Sequence, residues 1–224
     1  MIAPVHRLKV AEIRALAVWR CRHRHNGLEH YQCWLDEHPE LQPRIGFLDI
    51  ETSNLDANFG IMLTYCIKDS AGGILSASIT PEDIKKYESD KSDTRIVQRA
   101  IDDIQKFDTL VTFYGKRFDV PFLRTRAIID GLDFPVFGSI KHIDVWDWAR
   151  KKLRLNSNRL EVVCRTLFGE TDKTHIEYKY WIGAARGDKE STAWILDHNE
   201  RDVNDLARVF YVLQDFAKRN DASI

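Results

Sequence analysis

Asp49 and Glu51 are the residues of this sequence whose types and spacing point most directly to chemistry. They lie in residues 45–52, a segment that otherwise has the apolar composition of a buried strand. Because side chains alternate between the faces of a strand, the two carboxylates would point the same way, roughly 7 Å apart. At that distance two ionised carboxylates repel each other by about 2 to 3 kcal/mol if the effective dielectric constant is about 20. A central strand carrying both acids would need a compensating cation, whereas an edge strand could expose both acids to water.

Other side chains could complete such a site from distant parts of the sequence. Asp119 follows an apolar segment and precedes a helical pattern with Pro121 in its first turn, so its carboxylate could cap the helix, bind a metal ion, or do both. His198 and Asp202 are four residues apart in the last predicted helix and therefore project together, with Asp205 on the same face. The alternative interpretation of this helix is a charged, solvated outer face.

A second group of possible metal ligands lies near the N-terminus. Two cysteines and three histidines fall within thirteen residues, and Zn²⁺ prefers thiolate and imidazole ligands. The spacing is not one of the usual zinc-finger spacings, so a basic loop with unconnected side chains is the alternative. The possible zinc ligands are Cys21, His23, His30 and Cys33.

The overall charge limits how this protein could bind a polyanion. With 33 basic and 34 acidic residues, the net charge is -1, which excludes a global electrostatic footprint for nucleic acid. A nucleic-acid partner would have to be bound by metal ions or by local basic patches. The densest of these patches contains Arg150, Lys151, Lys152, Arg154 and Arg159, although a solvated helix face is the alternative.

The composition also predicts the compartment. Four cysteines in 224 residues do not form a disulfide framework, which is typical of a reducing environment. No apolar run approaches the ~20 residues that a membrane-spanning helix needs. We therefore expect a soluble, cytoplasmic protein, and the 44% hydrophobic content is sufficient for a substantial core.

Hydrophobic periodicity predicts an α/β protein whose strands and helices would position these residues. Residues 1–43 are expected to form a helical N-terminal leader that contains the Cys/His group, and residues 44–224 a single domain. Asp93 is expected to cap the helix that follows it, and residues 170–190 are expected to be irregular apart from residues 178–181, where aromatic side chains alternate with a lysine. Strands are predicted at residues 45–52, 61–68, 74–80, 109–114 and 140–145, the first three as a meander, and the last helix at residues 191–218.

Three segments, taken in this order, resemble the motifs of the DEDD 3′-to-5′ exonucleases of the ribonuclease H-like superfamily. The similarity is greatest to the exonuclease domain of B-family DNA polymerases and its stand-alone relatives, and it extends from about residue 44 to residue 216. Three matches in the correct order are far more specific than any one of them. The segments are FLDIET at residues 47–52, YGKRFDVPFL at residues 114–123 and HNERD at residues 198–202.

This resemblance implies a fold and a set of site residues. The fold would be a ribonuclease H-like mixed central sheet flanked by helices. The sequence departs from the family pattern at Tyr114, where the polymerase motif usually has Asn, and at His198, which combines the histidine of one branch with the spacing of another. Asp205 is therefore an alternative fourth ligand. The implied metal ligands are Asp49, Glu51, Asp119 and Asp202, with His198 catalytic and Tyr114, Lys116, Arg117 and Phe118 binding substrate.

The carboxylates indicate what reaction such a site would perform. Hard oxygen ligands favour Mg²⁺ or Mn²⁺, and four acids can hold two such ions about 3.5 to 4 Å apart, as in enzymes that hydrolyse phosphodiesters. His198, with an ordinary pKa of about 6.5, could accept a proton near neutral pH. We expect a 3′-5′ exonuclease acting on single-stranded DNA or RNA. The alternatives are a structure-specific endonuclease on the same scaffold and a catalytically inactive nucleic-acid-binding module; the sequence does not identify a protein partner.

Overall fold

The computed structural model describes residues 10–38, 42–86, 91–172 and 177–217, and the chain divides into two compact units, Met1–Pro43 and Arg44–Ile224. In the described part of the first unit, two short helices, α1 (Val10–Val18) and α2 (Tyr31–Glu37), are joined by a turn-rich loop. Leu16, Tyr31 and Leu35 form its small buried apolar cluster. The predicted helical leader also includes residues 1–9, which lie outside the described residues.

The second unit is built on a five-stranded mixed sheet, which confirms the predicted ribonuclease H-like fold. Its strands are β1 (Ile45–Thr52), β2 (Met62–Asp69), β3 (Ile74–Ser78), β4 (Thr109–Thr112) and β5 (Lys141–Asp144). Their spatial order is β3-β2-β1-β4-β5. The first three pair antiparallel as a meander, and β4 and β5 add in parallel on the other side of β1. The strand that carries Asp49 and Glu51 is thus central, and the edge-strand interpretation is wrong.

Helices cover both faces of this sheet. They are α3 (Pro81–Lys86), α4 (Thr94–Ile104), α5 (Asp119–Asp130), α6 (Val145–Lys152), α7 (Leu160–Phe168), α8 (Tyr178–Ala185) and α9 (Lys189–Leu213). None of the helices in the described residues combines the length and apolar character needed to cross a bilayer. Mixed sheets covered on both faces are common in α/β proteins, and here most of the central strand is buried while Asp49 and Glu51 stay partly exposed.

The alternation of side chains along β1 decides which helices face the acids. Leu48 and Ile50 point into a core formed with α4 and α5. Phe47 points to the opposite face, where its ring centre lies 5.3 Å from that of Phe210 on α9. Asp49 has the same parity as Phe47, so the acidic face of the central strand is the face that α9 crosses.

Three local predictions are wrong. Residues 170–190 are not wholly irregular, because α8 occupies Tyr178–Ala185, and the last helix begins at Lys189 rather than Ser191. Asp93 occupies the position before α4 but its side chain makes no capping bond. Its carboxylate instead accepts hydrogen bonds from the Met62 backbone N–H, at 2.7 Å, and from the Arg126 guanidinium, at 2.7 and 2.9 Å. A buried carboxylate gains more from a bidentate guanidinium than from a neutral helix N–H, which explains why the cap is absent.

Candidate active site

Asp119 is held against the central strand by a backbone hydrogen bond. The parallel pairing of β1 with β4 covers only residues 45–47 and 109–111, so the second half of β1 has no partner strand on that side. A buried backbone N–H needs an acceptor. The Ile50 N–H finds one in Asp119 Oδ1, at 3.1 Å, and Ile50 is the residue between Asp49 and Glu51. Asp119 is the first residue of α5 rather than its N-cap. Beyond the end of β4, its carboxylate accepts the hydrogen bond that a neighbouring strand would otherwise accept from β1.

Helix α9 brings an imidazole and a further carboxylate to Glu51. His198 Nε2 lies 3.6 Å from Glu51 Oε1 and 3.7 Å from Asp202 Oδ2. One potential ligand atom from each of these three residues lies within 4.8 Å of the others. His198 and Asp202 are each 4% exposed, so the interpretation of this helix face as solvated is wrong.

Asp49 does not belong to that group of three, and a buried amide holds its carboxylate. Asn199 Nδ2 donates to Asp49 Oδ2 at 2.5 Å, while Asn199 Oδ1 accepts from Thr64 Oγ1 at 3.2 Å. Asn199 is completely buried, so both ends of its amide are used within the protein. Asn199 was not predicted as a functional residue from the sequence. The sequence feature that could have indicated it is its position directly after His198 in the last predicted helix.

The charges in this region favour a bound cation. Burial raises the pKa of Asp119 to about 7, and the negative charges of Asp144 and Asp202 act in the same direction, against hydrogen bonds from two backbone N–H groups. A divalent cation among these carboxylates would oppose that effect. Carboxylate oxygens are the ligands that Mg²⁺ and Mn²⁺ prefer, so the residues present fit such ions.

Asp144 is a fifth acid near this site, and it organises the loop between β4 and α5. It is buried at the end of β5 and accepts hydrogen bonds from the backbone N–H groups of Tyr114 (2.8 Å), Lys116 (3.1 Å) and Trp146 (3.1 Å). In this loop Tyr114 has a left-handed backbone, with φ of 72°, which is uncommon for a residue other than glycine. The bonds from Tyr114 and Lys116 to Asp144 stabilise that conformation, while the bond from Trp146 caps α6. The sequence signal for Asp144 was its position at the end of a parallel strand, like that of Asp119.

The same loop and the start of α6 together present aromatic rings and cations. The Tyr114 ring is 44% exposed and meets the edge of Trp146, with ring centres 5.0 Å apart. The Arg117 guanidinium lies 4.5 Å from the centre of the Trp146 ring. Lys116 and Arg117 also pair with Asp147, at 2.9 and 3.2 Å, which fixes both side chains and offsets part of their charge. We call the rings of Tyr114 and Trp146, with Arg117, the aromatic platform.

A cleft of about 140 Å³ lies beside Asp119. Phe118 and Pro121, which flank Asp119 in the sequence, form one side of it, and the loop after β1 forms the other. Leu55 on that loop is 80% exposed, and Phe59 is 79% exposed. A larger cavity of about 340 Å³, between the end of β3 and the start of α9, is lined by none of the candidate ligands.

Asp205 is committed to other partners. Its buried carboxylate accepts hydrogen bonds from Thr171 Oγ1 at 2.7 Å and from the Asp172 backbone N–H at 3.1 Å, and it pairs with Arg208 at 3.2 Å. Three donors therefore already satisfy this side chain. This arrangement favours Asp202 over Asp205 as the ligand supplied by α9.

Comparisons with known proteins identify relatives of the second unit. The sequence model of the RNase_H superfamily matches residues 46–214, three quarters of the chain. A DNA polymerase of Methanocaldococcus jannaschii is 27% identical over 123 residues, covering 39% of this chain and 8% of the polymerase. The family B DNA polymerase of Pyrobaculum calidifontis superposes with a TM-score of 0.64 at 17% identity, covering 78% of this chain and 25% of that one. The chain thus spans only a small part of either polymerase, and the structural likeness shows the fold.

Proposed function

The chain belongs to the RNase_H superfamily, and we propose that it is a metal-dependent 3′-5′ exonuclease that hydrolyses single-stranded DNA or RNA. The superfamily and the polymerase relatives support a nuclease-type function and nucleic-acid binding. The observation that carries the finer proposal is the convergence of Glu51, His198 and Asp202 on the face of the central strand that also bears Asp49. Asp119 joins them through its hydrogen bond to that strand.

Each of the four carboxylates has a defined role in this proposal. Asp49, Glu51, Asp119 and Asp202 would hold two Mg²⁺ or Mn²⁺ ions. Bound divalent cations supply Lewis acidity toward the scissile phosphate and the leaving 3′ oxygen. His198, whose Nε2 lies 3.6 Å from Glu51 and 3.7 Å from Asp202, would accept a proton from the attacking water. Asn199 positions Asp49 by donating to it.

The aromatic platform would bind the end of the substrate strand. A base stacked on Tyr114 or Trp146 gains about 1 to 3 kcal/mol, and stacking tolerates any base because every base has a π-face. Lys116 and Arg117 stand beside these rings and would contact phosphates. Phe118, in the wall of the neighbouring cleft, would pack against the terminal nucleotide. This division explains how a chain of net charge -1 could hold a polyanion.

The test is the digestion of single-stranded DNA and RNA, labelled at the 5′ end, with Mg²⁺ or Mn²⁺. We expect a ladder of products shortened stepwise from the 3′ end, no products with EDTA, and none from Asp49→Ala or Asp202→Asn. Asp197→Asn is the matched control, because Asp197 lies on the same helix, is 55% exposed and pairs with Arg201. Internal fragments from a substrate with blocked ends would instead show an endonuclease. Binding without any turnover by the wild type would show an inactive module.

A further inference from the structure

The N-terminal unit contains a second group of metal-ligating side chains, which the proposed nuclease reaction does not use. Cys21 Sγ lies 3.8 Å from His23 Nδ1 and 3.5 Å from His30 Nδ1. Cys33 Sγ lies 3.8 Å from His23 Nδ1 and 3.6 Å from His30 Nδ1. The four donor atoms all lie within 4.8 Å of one another. The structure therefore brings these side chains together, and the alternative of a basic loop with unconnected side chains is wrong.

We propose that Cys21, His23, His30 and Cys33 bind one Zn²⁺ ion in a structural site. With Zn–S distances of about 2.3 Å and Zn–N distances of about 2.0 to 2.1 Å, a regular tetrahedron has sulfur-to-nitrogen edges of about 3.6 Å. The four observed edges, between 3.5 and 3.8 Å, agree with that value. Two thiolates balance the charge of the ion. Four protein ligands leave no open position, which distinguishes a structural zinc site from a catalytic one.

The backbone around these residues is built to bring them together. Cys21 and His23 lie on a tight turn in which the Arg24 N–H donates to the Cys21 carbonyl at 2.8 Å and the Cys21 N–H donates to the His25 carbonyl at 3.0 Å. Arg24 has a left-handed backbone, with φ of 66°, which closes the turn. His30 is the residue immediately before α2, and Cys33 is the third residue of that helix. Residues three apart at the start of a helix lie on one face, so the turn supplies two ligands and the helix supplies two.

The size of the unit gives a second reason to expect a metal ion. In its described residues the buried apolar side chains other than Cys21 are Leu16, Tyr31 and Leu35. A unit of 43 residues is below the size of about 70 to 80 residues at which a hydrophobic core alone supplies much stability, and such small units commonly use a metal, disulfides or oligomerisation. Cys21 and Cys33 do not form a disulfide. A zinc ion would cross-link the turn to α2, and its binding free energy would contribute to folding of the unit.

The experiment measures metal content and cobalt absorption on the full chain, purified without chelator. We expect about one zinc per chain by elemental analysis. After exchange into Co²⁺ we expect the visible bands of a tetrahedral site and a near-ultraviolet thiolate-to-cobalt band. That band would report Cys21 and Cys33 alone, because Cys66 and Cys164 are fully buried in the core of the other unit.

Variants separate metal binding from folding of the unit. The double variant Cys21→Ser with Cys33→Ser should lose the zinc and the thiolate band. Because that variant could unfold the unit, Cys33→His is tested as well, and it should keep one metal ion with a weaker thiolate band. His25→Asn is the matched control: its ring centre lies only 4.5 Å from that of His30, yet it is not in the group, and it should keep the full zinc content.

Two results would overturn this assignment. One is a wild-type protein without zinc that shows no thiolate-to-cobalt band. The other is zinc that survives in the double cysteine variant but disappears in Asp49→Ala, since the ion would then belong to the acidic site. Zinc retained by Asp49→Ala and lost by the double variant would support the proposal whether or not the protein is a nuclease.

Discussion

Protons and metal ions should compete for Asp119. Its pKa is raised to about 7 by burial and by the neighbouring charges of Asp144 and Asp202, so at pH 7 about half of the metal-free molecules hold a proton there. The carboxyl group must lose this proton to bind Mg²⁺ or Mn²⁺. We therefore predict that metal binding strengthens as the pH rises through 7 and that it releases a proton.

The size of the effect follows from that pKa. At pH 6 about one molecule in ten has Asp119 ionised, and at pH 8 almost every molecule has, so the apparent affinity for Mn²⁺ should rise about tenfold over this interval. Stability should follow the same group. Its pKa is higher in the folded than in the unfolded state, so the free energy of unfolding of the metal-free protein should fall as the pH rises from about 4 through 7. Saturating metal should offset that loss, and the metal-induced rise in melting temperature should be larger at pH 8 than at pH 6.

Calorimetric titration of Mn²⁺ at pH 6, 7 and 8, with melting curves at the same pH values, measures both effects. His198 lies beside Glu51 and Asp202 and is a second proton-binding group near the metal ligands, so the decisive comparison is Asp119→Asn. That variant should bind Mn²⁺ more weakly and with little pH dependence. A tenfold pH dependence that persists in Asp119→Asn would refute this reasoning and assign the proton to His198.

Two further predictions concern residues around the site, and a third concerns a buried carboxylate on α3. Asn199→Ala should lower the free energy of unfolding by about 1.5 to 3 kcal/mol in urea denaturation, since it removes the donor to the charged Asp49, and it should also slow digestion; an unchanged rate would show that Asp49 needs no positioning. Trp146→Ala should weaken binding of single-stranded DNA, measured by fluorescence anisotropy, by about 1 to 3 kcal/mol, and equal binding would exclude the aromatic platform. Burial acts to raise the pKa of Asp83, but hydrogen bonds from Arg95 and Thr80 outweigh it and lower that pKa, so its contribution to stability is present at neutral pH and lost on acidification. Asp83→Asn should therefore reduce stability at pH 7 more than at pH 3 in urea denaturation, and equal losses at both would contradict this assignment.

The strand at residues 45–52 and the common direction of its two acids could be predicted from local pattern alone. Residues 45–52 combine apolar residues with two acids of the same parity, and this alternation survives in the folded protein because one face of β1 meets α4 and α5 while the other meets α9. The spacing of His198 and Asp202 likewise fixes their common direction on a helix. The central place of β1 depends on the strand order of the mixed sheet. The sequence indicated such a sheet only through the three motifs taken together.

The residues that sequence reasoning missed are those whose roles depend on tertiary partners. Asn199 and Asp144 are single polar residues with no periodic signal, and only the folded chain shows that one holds Asp49 and the other holds the loop containing Tyr114. Asp93 matched a helix cap in sequence, but a buried guanidinium from a distant helix is the stronger partner. In each case the hydrogen-bond partner is distant in the sequence, so a local pattern cannot predict it.

The most direct test of the account is a crystal structure of the wild-type protein with Mn²⁺ and a nucleoside monophosphate, using anomalous scattering to locate the metal. The account predicts two Mn²⁺ positions about 3.5 to 4 Å apart, bound by Asp49, Glu51, Asp119 and Asp202, with the base against Tyr114 or Trp146. Manganese bound elsewhere, or an acidic site that stays empty at saturating Mn²⁺ and nucleotide, would contradict it.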